Sequence, residues 1–140
     1  MKVSDAMTAQ VVTATPQTTI TEVAKTMARI ESGAVPVVAD GKVVGLITDR
    51  DIVIRVVAED GSASQPVSAV MSETVETCQE DDNLADAAAA MASRQIRRLV
   101  VLNEAGGLAG ILSLGDIATD YGAKVVGQTL EEISQAPATH

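Results

Sequence analysis

Two short stretches of this 140-residue chain set a hydroxyl and a carboxylate three residues apart, Thr48-x-x-Asp51 and Ser113-x-x-Asp116. Each follows an apolar, β-branched run (Gly45-Leu46-Ile47 and Gly110-Ile111-Leu112) and leads into a helical pattern. A hydroxyl at the N-cap with an acid at the third helical position is a capping box, worth about 1 kcal/mol. The same pair can do other work. A carboxylate accepts two hydrogen bonds, so it can grip the 2′ and 3′ hydroxyls of a ribose, and a helix N-terminus beside a hydroxyl can receive phosphate oxygens. Local spacing leaves both readings open. Positive charge nearby is sparse: Arg50 stands at the start of the first helical stretch and Arg97-Arg98 precede a strand-like run in the second half. These arginines suit a polyphosphate or its neighbouring acids, and suit a solvated surface or an interface salt bridge equally well.

The elements that position these groups occur twice. Met7-Thr8 and Met71-Ser72 lie 64 residues apart, and the same offset joins Val11-x-Thr13 to Val75-x-Thr77, Thr19-x-x-Glu22 to Asn83-x-x-Asp86, and Val35-Pro36-Val37-Val38 to Leu99-Val100-Val101-Leu102. One inserted residue then moves the offset to 65, which overlays Gly45 to Ile52 on Gly110 to Ile117. A repeat of this period with two copies implies a pseudo-symmetric pair. Each half, at about 64 residues, is marginal as an independent fold.

Each copy reads β-α-β-β-α. In the first, Val11 to Thr13 is a short strand, Thr19 caps a helix presenting Ile20, Val23, Ala24, Met27 and Ile30, and Gly33 stops it. Ala34 to Val38 is then a buried strand, Asp40-Gly41 a hairpin turn and Val43 to Thr48 its return. Pro36 warns of a missing partner on one side of the strand. A helix from Asp49 shows Ile52, Val53, Val56 and Val57 on one side and ends at Asp60-Gly61, and residues 61–66 form a polar linker. The second copy predicts a strand at Val75 to Thr77, a helix capped by Asn83 with Leu84, Ala87, Ala88 and Met91 inward, strands at Ile96 to Leu102 and Leu108 to Leu112, and a helix from Asp116 to Tyr121. The inserted residue falls in the turn Asn103 to Gly107, where length changes are cheapest. Expected boundaries are 1–64 for the first repeat with its linker, 65–121 for the second and 122–140 for an extension, with Val125-Val126, Leu130 and Ile133 compatible with a short terminal helix.

Composition excludes several classes of function. The net charge of −9 is uneven, −2 over residues 1–64 and −7 over 65–140, so nucleic acid is not an expected partner. Phe and Trp are absent and Tyr121 is the single aromatic residue, which leaves no stacking platform for bases. Cys78 is the one cysteine, so no intramolecular disulfide framework forms, and its simplest role is a small buried residue near a strand end. No run approaches the roughly 20 apolar residues of a membrane span, and a cytoplasmic location without membrane association is the expectation. The lone His140 is terminal, and no HExxH, CxxC or GxxxxGK[ST] occurs, so neither an enzyme nor a metal site is expected.

The ordered, repeated blocks resemble a tandem pair of cystathionine-β-synthase (CBS) domains, a Bateman module, of the small stand-alone bacterial kind. They are Val3-Ser4-Asp5-Ala6-Met7-Thr8 with Val67-Ser68-Ala69-Val70-Met71-Ser72, the central runs from Gly33 and Arg97, and the closing runs from Gly45 and Gly110. The resemblance implies an α/β fold of two pseudo-symmetric β-α-β-β-α CBS repeats packed as one module. It implies a regulatory module that senses adenosine-containing nucleotides (AMP, ADP, ATP or S-adenosylmethionine) in clefts between the repeats, with no resident cofactor and no catalysis. The alternative is a structural or interaction dimer with empty, degenerate clefts. By the resemblance, nucleotide-binding positions are Thr13, Val35, Pro36, Thr48, Arg50 and Asp51 in the first repeat, and Thr77, Arg97, Arg98, Leu99, Val100, Ser113 and Asp116 in the second. It also implies a homodimer, with a further protein partner to receive the signal. The alanines from Ala85 to Ala92 make one helix thin-sided, suited to a dimer surface or simply to helix propensity. Gly115 for Arg50, Leu114 for Asp49 and Val100 for Pro36 make the two sites unequal.

Overall fold

The computed structural model describes residues 1–121 and 131–134. In chain order the elements are α1 (Val3–Ala6), α2 (Ile20–Ile30), β1 (Ala34–Ala39), β2 (Lys42–Thr48), α3 (Asp49–Ile52) running on as a π-helical segment Val53–Val57, and a 3-10 turn Val67–Ala69. The second half adds β3 (Thr77–Gln79), α4 (Leu84–Arg94), β4 (Arg98–Leu102), β5 (Leu108–Ser113) and α5 (Leu114–Tyr121). They form two compact bodies, one of Val11–Val75 and one of Met1–Gln10 with the chain from Glu76 onward.

The bodies are therefore not cut where the repeats are cut, because each repeat lends its opening segment to the other. Val3 N–H donates to the Asp82 carbonyl, Ser4 N–H to Glu80 and Leu84 N–H to Met1, all at 2.9 Å. The counterparts one repeat on are Val67 to Thr18 (2.8 Å), Ser68 to Pro16 (3.2 Å) and Ile20 to Gln65 (3.0 Å). Carbonyls of the exchanged segments thus satisfy first-turn donors of α2 and α4 that have no partner within their own helix. Thr19 Oγ1 completes α2 by accepting from Glu22 N–H (3.2 Å), and Asn83 Oδ1 completes α4 by accepting from Ala85 N–H (2.9 Å).

The Met-Thr and Met-Ser pairs close the exchange. Thr8 and Ile111 swap backbone hydrogen bonds of 2.9 and 3.0 Å, and Ser72 and Leu46 swap two of 2.9 Å. Glycine makes this approach possible. A Cβ on Gly45 would stand 2.5 Å from Met71 Sδ, and one on Gly110 2.5 Å from the Thr8 carbonyl oxygen.

Both hairpins are antiparallel and carry the same irregularity. Val35 faces Ile47 and Leu99 faces Leu112, with a register shift after Val37 and after Val101. The expected turn is present: Asp40 (φ 52°) and Gly41 (φ 75°) both take the left-handed region that a two-residue hairpin loop requires. The longer counterpart is held by Asn103, whose N–H donates to the Gly107 carbonyl (2.8 Å) while its Oδ1 accepts from Gly107 N–H (2.9 Å).

Three expectations need correction. Val11 to Thr13 form no strand; a single parallel bridge joins Ala14 to Val37. Its counterpart is a true ladder over Thr77–Gln79, two residues later than the Val75 start expected. The difference traces to Pro36. Val100 N–H donates to the Glu76 carbonyl (3.0 Å), whereas proline at the matching position has no N–H to offer Val12. Second, α2 ends not at Gly33 but at Glu31, which takes the left-handed conformation (φ 54°), as Gln95 (φ 59°) does after α4. Gly33 answers a different need, since a Cβ there would lie 2.6 Å from Asp49 Oδ2. Third, the π-helical turn breaks the 3.6-residue stripe after α3: Val56 is buried, but Val53, Ile54 and Val57 are 55%, 48% and 66% exposed. The inward face expected for α4 is present, with Leu84, Ala87, Ala88 and Met91 in the core of their own body.

Each body has its own core. One gathers Val3, Leu84, Met91, Leu99, Val101, Leu112, Ile117 and Ile133, the other Ile20, Val23, Met27, Val35, Val37, Ile47, Val56 and Val67. Ile133 sits in a helical stretch at 131–134; Val125, Val126 and Leu130 lie outside the described residues.

Alanine at Gly110 is expected to destabilise the protein by on the order of 2–3 kcal/mol in urea unfolding, since overpacking a tight contact has that cost. Gly45→Ala should cost less, because its nearest obstacle is a flexible methionine side chain rather than a backbone oxygen. A neutral Gly110→Ala would contradict the close approach. Cys78 on β3 gives a second check. Burial foremost, and then the Asp82 carboxylate, push its thiol from 9.0 up to about 11, with Arg94 pulling the other way. Iodoacetamide at pH 8 should therefore alkylate the folded protein much more slowly than the urea-unfolded chain. Because the folded pKa lies above the unfolded one, the thiol's contribution to stability is complete below about pH 9 and lost as pH rises through about 11.

Candidate functional site

Each body contains one complete hydroxyl-acid box. In the first, Asp51 N–H donates to Thr48 Oγ1 (3.1 Å) and Thr48 N–H donates to Asp51 Oδ2 (3.0 Å). In the second, Asp116 N–H donates to Ser113 Oγ (3.1 Å) and Ser113 N–H to Asp116 Oδ2 (2.9 Å). The capping reading is thus fully realised in both copies. It engages one carboxylate oxygen and leaves Oδ1 of each acid outside the box. Oδ2 keeps a second lone pair, so a pair of hydroxyls still finds acceptors on one carboxylate. All four side chains belong to half-buried residues at the junction of a strand and a helix.

The sheets bring further candidate residues to the same ends. Ala34 faces Thr48 and Arg98 faces Ser113 in register. The backbone carbonyls of Gly33 and Arg97 accept from Asp49 N–H (2.9 Å) and Leu114 N–H (3.0 Å), which fixes each strand start against its helix start. Arg97 and Arg98 are exposed, as is Arg50, whose N–H bonds Asp49 Oδ1 (2.8 Å). Thr77 pairs with Val100 across the parallel ladder, and the Thr77 carbonyl accepts from Arg94 Nη1 (3.5 Å). Thr13 is exposed beside the Ala14 bridge, and the Pro36 carbonyl accepts from Ala14 N–H (2.9 Å). Val35 and Leu99 are buried in their hydrophobic cores.

One residue of the site was not singled out from the sequence. Arg55 lies one helical turn beyond Asp51, with Nε 3.9 Å from Asp51 Oδ1 and Nη1 donating to the Val70 carbonyl (3.0 Å). The acid-x-x-x-Arg spacing was the available signal. At the corresponding place in the second repeat, 65 residues on, stands Asp120. Ion pairs among the described residues include Lys2–Asp81, Arg55–Asp51 and Arg94–Glu76. The last replaces an apolar pair, since Ile30 and Val12 occupy the matching positions of the first repeat. No group of three His, Cys, Asp or Glu among the described residues could hold a metal ion, and no described helix is long and apolar enough to cross a membrane.

Comparison with known proteins agrees with the duplication. The CBS domain model matches twice, at residues 3–58 and 67–122. A CBS domain-containing protein of Bacillus subtilis, YhcV, is 41% identical over 133 residues, covering 94% of each chain. Among solved structures, a CBS domain protein from Pyrobaculum aerophilum complexed with AMP superposes with a TM-score of 0.78 at 26% identity, covering 97% of this chain and all of that one. The CBS domain pair of protein MJ0100, in complex with 5′-methylthioadenosine and S-adenosyl-L-methionine, gives 0.78 at 27% identity, with 89% and 98% covered. With two matched domains, a relative aligned end to end and two boxes of one geometry, the chain belongs to the CBS-domain family, whose paired domains are regulatory modules rather than catalysts.

Proposed function

We propose that the protein is a sensor of adenosine-containing ligands, with Asp51 and Asp116 as the acids that accept the ribose hydroxyls of one ligand each. The observation that carries this reading is the duplicated box, which holds each carboxylate by Oδ2 at a helix start and leaves Oδ1 for another donor. The AMP, 5′-methylthioadenosine and S-adenosyl-L-methionine held by the similar structures supply the ligand class. Thr48 and Ser113, with the backbone N–H groups of the following turns, stand where phosphate or other anionic oxygens are best received. Arg50 adds charge to the first site, and Arg97 with Arg98 to the second. Arg50 lies in the α3 helix of one body and Arg97 and Arg98 at the start of β4 in the other, so the sites are unequal.

Titration calorimetry with AMP, ADP, ATP and S-adenosylmethionine tests this directly. Binding of at least one is expected, and the double variant Asp51→Ala, Asp116→Ala should lose it, each charge-assisted bond contributing about 1.5–3 kcal/mol. The single variants should differ in affinity or stoichiometry. Heat with none of the four ligands would favour an interaction module with unused sites.

Assembly is proposed separately. Val53, Ile54 and Val57 form a contiguous exposed apolar turn, the kind of surface a second copy covers. Sedimentation equilibrium at micromolar concentration should give the mass of two chains, and Ile54→Glu with Val57→Glu should give the mass of one. A wild-type monomer would defeat the homodimer.

A further inference from the structure

We propose that Arg55 is a specificity-determining residue of the Asp51 site, selecting a phosphate-bearing adenosine over a neutral one; this rests on Asp51 being a ribose acceptor. Three features of Arg55 carry the inference. Its guanidinium is anchored rather than free, because Nη1 donates to the Val70 carbonyl at 3.0 Å. It lies against the candidate acid, with Nε 3.9 Å from the Asp51 oxygen that the capping box does not use. And it is half open to solvent: the Arg55 side chain is 52% exposed while that of Asp51 is 16% exposed.

A guanidinium has five N–H donors in a rigid fork and no acceptor. The anchor at Val70 engages Nη1 alone, and the side chain is half exposed, so further donors remain for a ligand. Without a cation there, an acid that binds the sugar also repels the phosphate attached to that sugar. Arg55 offsets that repulsion at its source, from the same helical stretch as Asp51. The internal repeat provides the contrast: Asp120 stands where Arg55 does, and the second repeat carries its arginines at the start of β4, as Arg97 and Arg98. Arg55 is thus peculiar to one of two otherwise matching boxes. That placement is expected of a residue that tunes one site rather than of one that the fold requires.

The test uses the full chain carrying Asp116→Ala, so that the Asp51 site alone is read, and compares AMP with neutral adenosine by calorimetry at low and high salt. Arg55→Gln should weaken AMP by roughly fivefold, the Coulomb effect of one charge in a partly solvated site, and leave adenosine within about twofold. Arg55→Lys should keep most of the AMP affinity, and the salt dependence of AMP binding should shrink in the Gln variant only. Thermal melts of each variant establish that it folds. If Arg55→Gln weakens AMP and adenosine equally, Arg55 is only a structural strap and the inference is overturned; unchanged AMP affinity overturns it as well. Failure of the Asp116→Ala protein and the wild type alike to bind either compound would instead overturn the adenosine reading itself.

Discussion

The exchange of opening segments is the constraint on which the rest of the structure depends. A helix start exposes backbone donors that must be met, and here α2 and α4 are each met by carbonyls from the opening of the other repeat. The same segments deliver Val3 to one core and Val67 to the other. Neither core is complete without a residue from outside its own repeat, so the marginal size of a single repeat is overcome by sharing rather than by enlargement. Gly45 and Gly110 are where this sharing is tightest. There a strand backbone must touch the chain that crosses it, and any side chain would hold the two apart.

The hydroxyl-acid boxes show how a structural motif leaves room for a binding one. Capping uses a single carboxylate oxygen and orients the other without engaging it. Holding the acid in place lowers the ordering cost of any later contact, which is the benefit of preorganisation. The two readings of Thr48-x-x-Asp51 and Ser113-x-x-Asp116 are therefore compatible. Capping fixes the geometry, and the proposed ligand contact uses what capping leaves.

The sequence made the repeats, both hairpins, the helix caps at Thr19 and Asn83 and the two boxes legible, because each depends on local spacing or on a turn residue with a definite conformation. It misplaced features that depend on contact between distant segments. Gly33 read as a helix stop because glycine so often is one, yet the left-handed residues are Glu31 and Gln95, and Gly33 makes room for the Asp49 carboxylate. The stripe Ile52, Val53, Val56, Val57 assumed a regular 3.6-residue period, which the π-helical turn breaks. The exchanged segments were recognised as repeated blocks, but the blocks carry no record of which body they join. Arg55 was overlooked among hydrophobic neighbours although its spacing from Asp51 was plain to see.

Pro36 has a consequence for how evenly the protein holds together. In one body Val100 N–H binds the Glu76 carbonyl and Arg94 pairs with Glu76 beside it, so the β3 edge is tied by backbone and side chain together. In the other, proline removes that rung and Val12 and Ile30 replace the ion pair, and the bridge between Ala14 and Val37 stands where the other body has a ladder. Opening free energies follow such local bonding. Two bodies built from one repeated pattern thus differ in how their first strand edge is tied, with the fewer bonds in the body that carries Arg55.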